Sequence, residues 1–284
     1  MKLNKLVIGT AQFGMPYGIN KKEVNLKDID NILKFAKKNK INHLDTAPSY
    51  QKALKKLSMF SLKEWNIISK IPSMPKNIND IKGWVNKTFF NTLNTLQIQK
   101  INTILIHDEN DIFNRKSGDE FFRSLNELKK DGLIKNIGCS IYTPNKLVKI
   151  LERYSFDVIQ CPYNIFDKRI LSPELVEILN KKKVKLHLRS IFLQGLLLKK
   201  KNLPQKFRKN RILKKFNIWV KETKCENISA CLGSISKIKF DKLIVGVDNI
   251  GQLKEIIKNL KNPIKNQPSF KINENSKLID PRKW

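Results

Sequence analysis

Eight short apolar runs, each followed by a stretch with the apolar spacing of a helix face, recur along the chain, and no other feature limits its fold as much. The first run is KLVIGT from Lys5. Residues 28–39 follow it with Ile29, Ile32, Leu33 and Ala36 on one helical stripe. INHLDTA from Ile41 and WNIISKI from Trp65 form the second and third strands, with a helix-like segment over residues 51–60 between them. Residues 80–96 make a long helix, and INTILIHD from Ile101 is the fourth strand.

The pattern then continues. Residues 119–130 are helical, with Asp131-Gly132 as the stop signal. IKNIGCSI from Ile134, FDVIQCPYN from Phe156, VKLHLRSI from Val184 and KLIVGV from Lys242 complete the strands, and a closing helix covers residues 252–260. Thr143-Pro144 and Ser172-Pro173 read as helix starts, with the hydroxyl residue as N-cap and proline in the first turn. Residues 199–215 form a basic insertion after strand seven, a loop that runs into a helix. Residues 262–284 are an irregular tail.

Strands that alternate with helices favour parallel pairing through right-handed βαβ units. Several runs are apolar at nearly every position, as strands covered on both faces are. The 284 residues are close to the roughly 250 of a (β/α)8 barrel, and no Pro/Gly/Ser-rich linker divides them. The expected fold is therefore α/β, a single (β/α)8 TIM barrel over residues 1–284 with a C-terminal tail. The alternative is a doubly wound open sheet, which the lack of a GxGxxG fingerprint after the first strand disfavours.

The formal net charge of +31 raises the question of nucleic acid. Only eight of the 56 basic residues are arginine, the side chain suited to bidentate recognition of bases and phosphates. The lysines are also scattered along the chain rather than clustered. No specific nucleic-acid partner is expected. Cys139, Cys161, Cys225 and Cys231 make no CxxC pair and no zinc-ligand spacing, so they read as reduced thiols and no metal site is expected. The N-terminal apolar run is too short for a signal peptide, and no run of about 18 apolar residues occurs. The sequence thus reads as a soluble, cytoplasmic protein with no membrane partner. It says nothing of oligomeric state.

Chemistry in such barrels sits at the C-terminal ends of the strands. Asp45 ends strand two, Tyr50 follows it, Lys70 ends strand three and His107 ends strand four. Each has an ordinary reading: a cap, a rim aromatic, a surface lysine, a core histidine. Together on one rim they make an acid catalyst. A lysine ammonium lowers the pKa of a nearby phenol, a carboxylate holds that lysine, and a histidine donates to an oxygen that gains charge.

IGTAQFGMPYGI from Ile8, INHLDTAPSY from Ile41, ISKIP around Lys70 and LIHD around His107 resemble the aldo-keto reductases. The likeness continues through GLIKNIGCS, DVIQCPYN, RSIFLQGLLL, LIVGVDNIGQLKEII and IDPRKW. The resemblance implies Tyr50 as general acid, Lys70 as its pKa partner, Asp45 as the support of Lys70 and His107 as the carbonyl orienter. It places Ser140 and Gln160 at the nicotinamide carboxamide, Gly246 and the segment after it at the adenosine phosphate, and Glu255 near the adenine. The implied cofactor is NADPH, with NADH as the alternative.

The sequence departs from the family pattern at several places. Gln51 and Leu54 stand where a Gly and a Glu are usual, and Ile141 where Asn is common. Arg189 takes the place of a Tyr that stacks on the nicotinamide, and as a cofactor-binding residue its planar guanidinium can stack there too. Asp248 stands where a Ser, Arg or Lys often meets the 2′-phosphate of NADPH, and its charge would repel that phosphate unless the nearby basic insertion compensates. The expected function is reduction of a small-molecule aldehyde or ketone by hydride transfer. The alternative is a cofactor-binding barrel that acts as a regulatory or partner-binding subunit with little turnover.

Overall fold

A computed structural model describes the chain except Asn114, Lys201, Lys237, Lys265, Lys271, Glu274 and Asn275; Lys201 falls in the expected insertion, and Lys265, Lys271, Glu274 and Asn275 in the expected tail. The eight strands are β1 Leu6–Gly9, β2 His43–Asp45, β3 Asn66–Ile71, β4 Ile101–Ile106, β5 Ile134–Ser140, β6 Val158–Pro162, β7 Lys185–Arg189 and β8 Lys242–Gly246. All neighbours pair in parallel, and β8 returns to β1 with Gly9 opposite Gly246, so the sheet closes into a barrel. Closure excludes the open, doubly wound alternative.

The helices are α1 Ala11–Gly14, α2 Leu26–Lys38, α3 Ala53–Leu57, α4 Ile81–Leu96, α5 Arg115–Lys130, α6 Leu147–Arg153, α7 Pro173–Lys181, α8 Arg211–Glu222, α9 Asn227–Gly233 and α10 Ile250–Lys261. Gly132 adopts φ +72° past the end of α5, as its stop signal requires. Asn25, Asp80, Asn210 and Asn249 cap α2, α4, α8 and α10 through their side chains. Thr143 and Ser172 do not, contrary to the sequence reading. Proline has already removed one orphan N–H at each start. After Thr143 a 3-10 turn, Pro144–Lys146, comes before α6 and closes with backbone bonds alone.

The basic insertion contains a 3-10 turn, Gln205–Phe207, and leads into α8 as expected. The sequence reading missed α9, which is buried along its whole length and so shows no amphipathic stripe. In the tail, Leu278 and Ile279 are buried and Trp284 packs edge-on against Phe207. Among the described residues, no helix is long and apolar enough to cross a membrane.

Side-chain parity explains where the polar residues gather. Val7, Ile68, Leu105, Val158 and Ile244, from five strands, pack together as the plug inside the barrel. Side chains alternate faces along a strand. Two residues further on, the chain therefore turns Gly9, Lys70, His107, Gln160 and Gly246 inward at the C-terminal mouth. The register adds Asp45 beside Gly9 and Ser140 beside Gln160.

Candidate active site

Gly14 positions the loop that carries Tyr50. A Cβ at Gly14 would lie 2.1 Å from both Tyr50 O and Ala53 N, so only glycine lets α1 approach this close. Tyr50 itself ends a 3-10 turn, Pro48–Tyr50. The next residue, Gln51, stands at φ 49°, ψ −109°, a conformation that favours glycine. The departure from the family's glycine therefore leaves strain next to Tyr50. Leu54 of α3, at the place of the usual Glu, is buried in the core, and Ile141 is wholly buried.

Lys70 is no surface lysine. It is 2% exposed, and its Nζ donates to Asp45 Oδ1 at 2.6 Å and to Thr46 O at 3.1 Å. The other carboxylate oxygen of Asp45 accepts from Gln160 Nε2 at 2.7 Å. The Lys70 ammonium lies over the face of the Tyr50 ring, 5.0 Å from its centroid, and makes no hydrogen bond to the phenol. This differs from the expected arrangement, in which the lysine ammonium acts on the phenol; here Lys70 is paired with Asp45. Burial and then the Asp45 carboxylate push the Tyr50 phenol well above its usual range, and the Arg189 guanidinium acts against them.

His107 follows β4, with its ring edge-on to Tyr50 at a centroid distance of 6.1 Å. Its Nδ1 is 3.2 Å from Ser49 Oγ. Burial, then Lys70 and Arg189, push its pKa down to about 3, so the ring is neutral at ordinary pH.

A cavity of about 420 Å³ opens at this mouth and extends to α10. Tyr50, Asp45, Gln160, Arg189, Gly246, Asp248 and Glu255 all line it, so most of the residues singled out in the sequence converge. Ser140 is buried and paired with Gln160 in register but is not part of the lining, and neither are Lys70 and His107. The lining also includes Gln12, Tyr17 and Gln194, which sequence reasoning had not singled out. Ile19 N donates to Gln194 O, which holds the loop after β1 against the loop after β7. Gln12, Tyr17 and Gln194 lie in IGTAQFGMPYGI and RSIFLQGLLL, segments that carry the family resemblance but mark none of the three locally as lining residues.

Arg189 stacks on Tyr142, with its guanidinium carbon 3.9 Å from the ring centroid. Arg282 of the tail stacks on the same ring at 3.7 Å. Two groups so close to one centroid lie on opposite faces. Glu109, 1% exposed, accepts from the backbone N–H groups of Tyr142 and Thr143 and anchors this clamp.

The lining suits a dinucleotide. Gly246 leaves the floor open where a Cβ would lie 2.7 Å from Gln12 Nε2. Gln252 N donates to Asn249 Oδ1 at the start of α10, and helix N-termini favour phosphate. Asp248 and Glu255 can accept from ribose hydroxyls.

A model of the aldo/keto reductase family matches residues 5–275. No curated protein matches the sequence. Among solved structures, the aldo-keto reductase AKR11C1 from Bacillus halodurans, in a holo form, shares 19% identity with a TM-score of 0.73, covering 92% of this chain and 88% of that one. The glycerol dehydrogenase AKR11B4 from Gluconobacter oxydans shares 18% identity with a TM-score of 0.65, covering 95% of each chain. Identities this low speak for the shared fold alone.

Proposed function

The chain belongs to the aldo/keto reductase family of oxidoreductases, and from that premise we propose that it reduces an aldehyde or ketone with NAD(P)H, with Tyr50 as general acid. The observation that carries this reading is that Tyr50 and Asp45 line the cavity while buried Lys70 and neutral His107 pack directly against them, Lys70 on Asp45 and the Tyr50 ring and His107 edge-on to that ring. A bound reduced nicotinamide would supply the hydride.

The residues of the chain do the rest. The raised pKa keeps the phenol of Tyr50 protonated at neutral pH, so it gives up its proton only as the carbonyl oxygen gains charge. Arg189, a cation that pulls this pKa down, favours the phenolate left behind. Lys70 is fixed by Asp45 and Thr46 and supports the Tyr50 ring from its face. With Ser49 donating to Nδ1 of His107, Nε2 carries the proton and orients the carbonyl oxygen. Gln160 gives an N–H to Asp45, which leaves its carbonyl oxygen to accept from the nicotinamide carboxamide. Asp248 and Glu255 favour the ribose of NADH over the 2′-phosphate of NADPH.

The direct test is oxidation of NADH and NADPH by the purified protein in the presence of a panel of aldehydes and ketones. Turnover above the protein-free rate supports the reading. Cofactor binding without turnover of any carbonyl contradicts it.

A further inference from the structure

Within the cavity, the charges at the reacting end do not balance. The two oxygens of Asp45 are taken by Lys70 and Gln160, and His107 is neutral. Arg189 lines the same cavity with its charge unanswered. Its hydrogen bonds go to neutral acceptors, Nη1 to Ser190 Oγ at 3.2 Å and Nη2 to Ile141 O at 3.1 Å. A guanidinium has five N–H donors, so most remain unused. Arg169, the other arginine that is not exposed, holds Asp167, whereas Arg189 has no carboxylate partner among the described residues. The groups that act on it electrostatically are Tyr142, Tyr17, Tyr50 and Cys161. It is also held in place, stacked on a ring that Arg282 clamps from the other side and that Glu109 anchors.

A cation half withdrawn from water with no counter-ion costs stability. A fixed guanidinium fork suits a planar anion. We propose that Arg189 receives an anionic group of the substrate, so that the preferred carbonyl compound carries a carboxylate a few bonds from its carbonyl carbon. Tyr50 and Arg189 then hold the two ends of one small molecule. This rests on the carbonyl-reductase reading of the cavity. The same anion chemistry is present in the dinucleotide pyrophosphate, and the test separates the two sources.

Succinic semialdehyde and butanal share a four-carbon aldehyde chain and differ in a terminal carboxylate or methyl. The wild-type protein should favour succinic semialdehyde in kcat/KM by about tenfold or more, the range of a charge-assisted pair. Arg189→Met should erase that preference, and Arg189→Lys should keep part of it. Succinate binding, read by ligand-observed NMR without turnover, should weaken by about tenfold in Arg189→Met. Equal use of both aldehydes by the wild-type protein overturns the proposal. So does loss of NADH affinity in Arg189→Met with succinate binding intact, which assigns the guanidinium to the cofactor. If neither aldehyde is reduced but succinate binding depends on Arg189, the anion site stands and the reductase reading falls.

Discussion

Lys70 Nζ lies 2.6 Å from Asp45 Oδ1, and the two side chains are 1% and 5% exposed. Removing either partner leaves an uncompensated buried charge. Asp45→Asn and Lys70→Met should each destabilise the fold by about 3–5 kcal/mol. The double variant should lose clearly less than the sum, read as a coupling energy in urea unfolding. Additivity within about 0.5 kcal/mol would show that the pair is not a unit.

Gln51 adopts φ 49°, ψ −109° immediately after Tyr50. Gln51→Gly relieves a conformation that costs a side chain about 1–3 kcal/mol, less what glycine loses through the freer unfolded chain. The net expectation is a gain of about 1 kcal/mol in urea unfolding. A loss of stability would mean that the Gln51 side chain makes up for its backbone.

The three histidines are all held neutral. Burial, then neighbouring cations, push His107 and His187 down to about 3 and His43 to about 4. Between those values and the unfolded pKa of about 6.5, the unfolded chain binds protons that the folded chain refuses. Their contribution to stability is therefore complete above pH 6.5 and is lost as pH falls toward 3 to 4. Urea unfolding should show stability falling from pH 7.5 to 5, with a shallower slope in His187→Gln. The pH profile of kcat/KM should show no inflection near 6.5 from His107.

Asp248 and Glu255 share the α10 end of the cavity. NADH should bind about tenfold tighter than NADPH in a fluorescence titration, a difference of about 1.4 kcal/mol. Asp248→Ser should narrow the gap. Tighter binding of NADPH by the unaltered protein would show that nearby lysines outweigh the two carboxylates.

Much of the barrel was readable because burial on both faces leaves strands apolar and helices striped, and those periods survive in the sequence. The inward turn of Lys70, His107 and Gln160 follows from a two-residue step past Ile68, Leu105 and Val158. Several failures depend on contacts between distant segments. α9 is buried all round and has no stripe. Arg282 reaches Tyr142 across nearly half the chain, and nothing local in either marks the clamp. That Arg189 lacks a carboxylate, or that Lys70 faces the Tyr50 ring rather than its hydroxyl, is a matter of three-dimensional neighbours. The proline-led starts at Thr143 and Ser172 looked like caps because the residue types fit, but their hydroxyls make no cap bond.

The central claim is that the Tyr50 phenol delivers the proton. The most direct measurement is single-turnover reduction of a simple aldehyde by Tyr50→Phe, with cofactor affinity followed separately by fluorescence. Phenylalanine keeps the ring beside His107 and over Lys70 and removes only the hydroxyl. The account predicts a loss of about a hundredfold to ten-thousandfold in rate with cofactor affinity nearly unchanged. A variant that keeps more than about a third of the wild-type rate, far from the loss expected of a general acid, would contradict it.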